Sequence, residues 1–289
     1  MSAVTTLVQA LFNGLVDGAA IALAAVGLTL SYGISRFINF AYGEFLTLGA
    51  FTAVFLSEGG TPVPLGIAAA AVVVGLAGVA INQSVYRPLR EYGPVPLLIT
   101  SFGVAFVIRT TLRGVVGSQG YTFDIPLLRP LEVAGVFLPV LGLIILVVSA
   151  IVLIAVHVLL TQTVTGLKMR ATSGNRDLAQ VASIDVGRTG AHVWFISAAI
   201  GALAGGLFAL RLQPFTPSLG WELLLVVFAA TILGGIGRPF GAALGAVIIG
   251  LTMSLGTTYL SSSYTMGYAF IVLLAAILLR PEGLIRGEI

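Results

Sequence analysis

The sequence predicts an all-α, polytopic membrane protein, a single bundle of eight to ten transmembrane helices over residues 1–289. Three observations lead there. Apolar runs long enough to cross a bilayer recur along the chain, beginning with Leu7–Tyr32, where only Gln9, Asn13 and Asp17 are strongly polar. Charged residues make up 9% of the chain, against about 25% in an average soluble domain. The mean hydropathy is +1.08. A soluble fold of this size has too little interior to hide so much apolar surface, so the function is exerted in or across a membrane.

Nine segments carry the pattern: Leu7–Tyr32, Phe37–Leu56, Pro64–Val85, Val95–Arg113, Val136–Leu160, Ala191–Leu210, Leu223–Ile236, Gly241–Leu260 and Tyr264–Leu279. Seven of the nine hold about 20 residues or more, the length a crossing helix needs. Leu223–Ile236 is shorter and is read as a half-helix or re-entrant piece. The first segment exceeds a signal-peptide core and no positive charge precedes Arg36, so the amino terminus is expected to be a retained span.

Basic residues orient the bundle. Placing the polar loop Thr161–Gly190 inside also places Arg36, Arg87, Arg90, Arg238, Arg280 and Arg286 inside, beside Lys168, Arg170, Arg176 and Arg188. Arg129 and Arg211 fall outside, with Arg109 and Arg113 near the outer end of their span. Ten against four puts the amino terminus outside and the carboxyl terminus in the cytoplasm. The net charge of +3 is read as this bias, not as a nucleic-acid surface.

Several chemistries are excluded or weakened. The chain has no Cys, which removes disulfides, thiolate metal sites and cysteine nucleophiles. His157 and His192 flank the polar loop rather than sharing a helix at ligand spacing, so no metal is expected. The single lysine, Lys168, stands between Leu167 and Met169, so the chain has no phosphate-binding Gly-Lys-Ser/Thr loop. If ATP drives the protein, another subunit must bind it. Gly235-Ile-Gly-Arg-Pro-Phe-Gly241 misses the dinucleotide fingerprint and is read as a tight turn between helices. No nucleophile triad or carboxylate pair stands at the span ends, which weakens the reading as an integral membrane enzyme.

Three features remain as candidates. In the loop, Asn175 is placed to cap a short helix and Asp177 suits its positive end, with Leu178, Val181 and Ala182 on one face. With Ile184 and Val186 following, this stretch either docks into a groove of another protein or lies flat on lipid or on its own bundle. Asp17 and Glu44 lie within spans, where a charge costs about 2.5–3.5 kcal/mol, so each faces the bundle interior, either lining a substrate route or serving the structure. Glycines four apart (Gly14 and Gly18; Gly201 and Gly205; Gly237, Gly241 and Gly245) make flat grooves for close helix approach, either around a pathway or as ordinary membrane-helix packing.

Asn13-Gly-Leu-Val-Asp-Gly18, Gly27-Leu-Thr-Leu-Ser-Tyr-Gly33 and Arg36-Phe-Ile-Asn-Phe-Ala-Tyr-Gly-Glu44 resemble the amino-terminal signature of the branched-chain amino acid ABC-transporter permeases of the LivH type. Arg87-Pro-Leu-Arg90, Leu98-Ile-Thr-Ser-Phe-Gly103, the polar loop, Phe228-Ala-Ala-Thr-Ile-Leu-Gly-Gly-Ile-Gly237 and Arg280-Pro-Glu-Gly-Leu284 follow in register. The resemblance covers nearly the whole chain.

The resemblance implies a permease subunit in a prokaryotic plasma (inner) membrane. It works with a second permease chain (LivM-like, or a second copy), two cytoplasmic ATPase subunits that hold ATP and Mg, and an extracytoplasmic binding protein. The permease itself carries no cofactor. The loop at 161–190 looks like the ATPase-coupling segment, with Arg170, Asp177, Leu178, Ala179, Val181, Ile184, Asp185 and Val186 as candidate contacts. Asp17, Asn39, Tyr42 and Glu44 are candidates for the substrate pathway. Ser183 stands where many members have Gly, Tyr42 where His is frequent, and Asp17 where an uncharged residue is expected. The implied function is import of branched-chain or related amino acids by alternating access. The alternatives are an ABC permease for urea or short amides, and a secondary transporter that uses Glu44 or Asp17 as a coupling acid.

Overall fold

The computed structural model describes residues 3–126, 129–133, 135–279 and 283–284, and most of them are helical. Helices α1 (Ala3–Ser35), α2 (Tyr42–Glu58) and α3 (Val63–Ile81) come first. A π turn (Asn82–Tyr86), the single turn α4 (Arg87–Leu89) and a 3-10 turn (Arg90–Tyr92) continue α3. After α5 (Pro94–Val116) an antiparallel hairpin pairs β1 (Leu131–Val133) with β2 (Val136–Leu138), Glu132 opposite Phe137. The second half holds α6 (Val140–Gln162), α7 (Val164–Gly174), α8 (Arg176–Val181), α9 (Val186–Arg211), α10 (Leu219–Gly234), α11 (Pro239–Tyr259) and α12 (Thr265–Leu279).

Among the described residues six helices are long and apolar enough to cross a membrane: α1, α3 with its continuation, α5, α6, α9 and α11. That is fewer than the expected eight to ten, and the shortfall has local causes. The expected span Phe37–Leu56 is helical only from Tyr42, because Arg36 turns the chain into the left-handed region (φ 55°) and Asn39 Oδ1 accepts the Ala41 amide at 3.0 Å. What remains, α2, is about 25 Å long, short of the roughly 30 Å hydrocarbon layer. The piece read as a half-helix, Leu223–Ile236, is α10, which is as short as expected but starts at Leu219 and stops where Gly235 takes φ 105°. Val136–Leu138 is a strand rather than the start of a span, and Pro139 opens α6.

The chain has two distinct ends. At one, Gln9 Oε1 accepts the Phe137 amide of the hairpin at 2.9 Å, and Tyr121 bridges Phe215. At the other, the loop that holds α7 and α8 packs on the end of α1, where Ser173 Oγ donates to Gly33 O at 2.9 Å and Arg36 donates to Ser173 O. Arg36, Arg87, Arg90 and Arg176, all assigned inside from the sequence, gather at this loop end. Arg280 and Arg286 lie outside the described residues.

Helices α1 and α9 pack on each other as the buried centre, α2 lies against α9 and α3, and α5 and α6 lie at the periphery. Small residues set the spacing. A Cβ on Gly250 of α11 would stand 2.5 Å from Gly14 O of α1, and one on Gly14 would stand 2.8 Å from the Leu251 Cα. A Cβ on Gly43 would stand 2.6 Å from Gly220 O, so the first turns of the two short helices, α2 and α10, touch backbone to backbone. Thr47 Oγ1 closes that crossing by accepting the Gly220 amide at 3.0 Å. Two of the glycine sets are thus helix contacts as expected, whereas Gly237 is a turn residue at φ 87°.

Gly250→Val is expected to destabilise the permease by more than the usual 1–3 kcal/mol of overpacking, because backbone and not side chain must move. Gly103→Ala, with nothing within 4 Å, is expected to be neutral. Thermal melting of the two purified variants in detergent checks both, and equal melting temperatures would contradict the packing account.

Candidate functional site

The loop is built from caps. Thr163 ends α6 and starts α7, accepting the Gly166 amide on Oγ1 at 3.0 Å. Asn175 Oδ1 accepts the Asp177 and Leu178 amides at 3.0 and 3.1 Å and starts α8, as its sequence position suggests. Asp185 Oδ1 accepts the Arg188 amide at 2.9 Å and starts α9. Between α8 and α9 the chain turns back through Ser183 at φ 61°. A left-handed residue is where glycine is easiest, which accounts for the glycine that the resemblance expects there.

The predicted contacts separate into two groups. Leu178 (66% exposed) and Val181 (84% exposed) project outward beside the exposed carboxylate of Asp177. Ala179 and Val186, each 3% exposed, are buried in the chain itself and hold the loop rather than offering surface. Ile184 is half-buried, its amide bound to Ala179 O, and Asp185 is exposed but serves as a cap. Arg170 is half-buried, and its Nε finds no acceptor among the described residues.

A second polar centre lies where α2 and α10 begin. Glu44, in the first turn of α2, is 0% exposed. Arg109 of α5 donates to Glu44 Oε1 through Nε (3.0 Å) and through Nη2. Glu44 Oε2 has no partner among the described residues. The guanidinium lies 4.3 Å from the Trp221 ring centroid and 5.6 Å from that of Phe106. Phe40 stacks on Phe102 at 3.9 Å and meets Phe228 edge-on at 5.2 Å, so the pair sits among aromatic rings. Glu222 lies one position beyond Trp221 and is exposed.

The four pathway candidates are not gathered into one cavity. Asn39 is buried at the entry to α2, where its Oδ1 accepts the Tyr86 hydroxyl at 3.3 Å, and Tyr86 stacks on Trp194 at 5.1 Å. Tyr42 is wholly buried in a slot between Gly27 and Gly201, donating to Ser197 O at 3.5 Å, which makes it a packing anchor. Asp17 pairs with Arg211 Nε at 3.1 Å in the hairpin half of the molecule, away from Glu44. Arg109 was not among the candidates, having been assigned to the outer end of its span. Its signal was a lone arginine four residues short of Arg113 in an otherwise apolar run, and nothing local tied it to Glu44.

Arg109→Leu, which leaves Glu44 buried without its partner, is expected to cost about 3–5 kcal/mol, and adding Glu44→Gln should recover much of that loss. Thermal melting of the single and double variants tests this, and equal loss in both would contradict the pairing. Ser183→Gly should relieve about 1–2 kcal/mol of left-handed strain. It is therefore expected to slow hydrogen exchange at the 183–186 amides, and faster exchange there would contradict the turn geometry.

The chain is similar to known proteins along nearly its whole length. Residues 10–279 match the family described as branched-chain amino acid transport system / permease component. The chain is 27% identical over 292 residues to the high-affinity branched-chain amino acid transport system permease protein LivH of Escherichia coli (strain K12), covering 96% of this chain and 94% of that protein. It is 29% identical to BraD of Pseudomonas aeruginosa, a permease protein of the same description, covering 96% and 95%. It is 31% identical to the probable LivH of Methanocaldococcus jannaschii, covering 91% and 87%. The ordered signatures, the predominantly helical bundle and these matches agree: the chain belongs to the family of permease components of branched-chain amino acid transport systems.

Proposed function

We propose that this permease imports leucine, isoleucine and valine across a prokaryotic inner membrane by alternating access, powered by ATP and Mg bound on separate ATPase subunits. The relatives named above are branched-chain amino acid permeases over nearly their full length, and that is the observation that carries the substrate. The amino terminus and the hairpin face outward, where a binding protein delivers substrate. The loop end faces the cytoplasm, and the basic residues gathered there support this orientation. α2, α10 and α12 complete the crossing as partial spans, for a total of nine.

In this reading Leu178 and Val181 enter a groove on the ATPase, and Asp177 flanks them. Arg170, Ala179, Ile184, Asp185 and Val186 keep the loop in shape, so that force applied at α8 reaches α1 through Ser173 and α9 through its first turn. α9 packs on α2 by way of Gly201, Gly205 and Tyr42, which links the loop to the Gly43–Gly220 crossing. Glu44 and Arg109 are the polar point of an otherwise apolar route along the face of α5 and α10. Exposed Glu222 on that face would be costly against lipid, which supports a second permease chain, LivM-like or a second copy, as its cover. Asp17, Asn39 and Tyr42 stabilise the scaffold. Coupling to an ion gradient through Glu44 or Asp17 is disfavoured by the arginine that each carboxylate already holds.

Radiolabelled leucine uptake into proteoliposomes that contain the complete complex tests the reading. Uptake is expected to need ATP inside and to survive collapse of the proton gradient, whereas uptake that follows the gradient without ATP would overturn it. Leu178→Asp with Val181→Asp is expected to lower uptake and ATPase-subunit retention at least about tenfold without changing the melting temperature, because both side chains are already exposed.

A further inference from the structure

A pocket of about 460 Å³ lies between the end of α3 and the loop, and its charge is unbalanced. The π turn and the two short turns after it supply Asn82, Arg87 and Arg90 to the lining, and the loop supplies Arg176, Ser183 and Asp185. Three guanidinium groups thus share the space with one carboxylate. That carboxylate is already engaged, since Asp185 caps α9 and pairs with Arg188 Nε at 3.3 Å. Arg87 and Arg176 both repel the charge on Arg90. Arg90 Nη2 donates to Asn82 Oδ1 at 2.9 Å, while its Nε is buried and finds no acceptor among the described residues. The first turn of α9 adds its own positive end. Converging like charges and an unused buried donor are both unfavourable in the isolated subunit, and an anion entering the pocket relieves both.

We propose that this pocket receives a carboxylate side chain of the ATPase subunit. The proposal rests on the reading of the 161–190 loop as the ATPase-coupling segment. Guanidinium groups engage both oxygens of a carboxylate, which fixes orientation as well as supplying attraction. Apart from Ile184 and Val186 the lining side chains are polar, so the pocket offers little shelter for the acyl chains of an anionic lipid. Arg176 and Gln180, one turn apart on α8, bring the pocket onto the same short helix that exposes Leu178 and Val181. The apolar pair supplies contact area, and the arginines set the register and direct the approach.

The test is a titration of the permease complex, held in nanodiscs of zwitterionic lipid, with its ATPase subunit at low and high ionic strength. Wild-type binding is expected to weaken as salt rises. Arg87→Glu and Arg176→Glu, both at exposed side chains, are each expected to weaken binding at least about tenfold at low salt and to flatten the salt dependence. Leu178→Ala should weaken binding yet keep the wild-type salt slope, because it removes apolar contact without changing charge. Charge-reversed variants that bind with wild-type affinity and slope would overturn the proposal, as would an effect seen only in discs containing phosphatidylglycerol, which makes lipid the occupant. If a reversed variant does not assemble, the wild-type titration decides, and salt-independent binding overturns the proposal. Wild-type permease that binds no ATPase subunit at all would sink the coupling-loop reading itself, whereas reversed variants matching a wild type that binds would sink only the pocket's role.

Discussion

Gly43 and Gly220 leave no space for a side chain between α2 and α10, and the middle of the molecule depends on that contact. Two helices too short to cross alone place their first turns against each other inside the bundle. Each first turn has backbone amides without helical partners, which cannot be left bare in apolar surroundings. Thr47 satisfies Gly220, and Asn39 satisfies Ala41. The irregular segments that lead into these helices can lie at depth because protein, not lipid, surrounds them.

The same junction explains where charge is tolerated. Glu44 lies in the first turn of α2, where the helix dipole favours a carboxylate, and Arg109 reaches it from α5. Aromatic rings stack around the pair and exclude water, which strengthens it and makes the loss of either partner expensive. The loop end is connected to this point without a gap. Ser173 holds α1, Asp185 starts α9, and the Tyr42 side chain of α2 packs against Gly27 of α1 and Gly201 of α9. Helix α10 is held in the same framework, because Gly220 meets Gly43 of α2 and Gly234 meets Gly241 of α11 backbone to backbone.

Much of this was legible in the sequence. Apolar runs located the long helices, and Asn175 marked the start of α8 because a capping side chain acts within three residues. Glycines at helical spacing marked the α1–α11 contact. Contacts that join distant segments were not legible. Nothing near Arg109 or Glu44 announces the other, 65 positions away, and an arginine near the end of an apolar run looks like an interface residue. The break before Tyr42 was hidden because Phe37, Ile38, Phe40 and Ala41 are as apolar as a helix interior, while the turn is set by Arg36 and Asn39. In the loop, Leu178 and Val186 look equally suited to docking by composition. Their opposite fates follow from which side of the chain the turn at Ser183 presents.

The proposed alternating access can be measured directly as a change in the separation of α5 and α10, which flank the Glu44–Arg109 pair. The chain has no cysteine, so Gly103→Cys and Leu225→Cys take spin labels at those two positions alone, both of them exposed. The label-to-label distance distribution in the complete complex is expected to shift between the nucleotide-free and ATP-trapped states. Identical distributions in the two states, with ATP hydrolysis and leucine uptake intact, would contradict it.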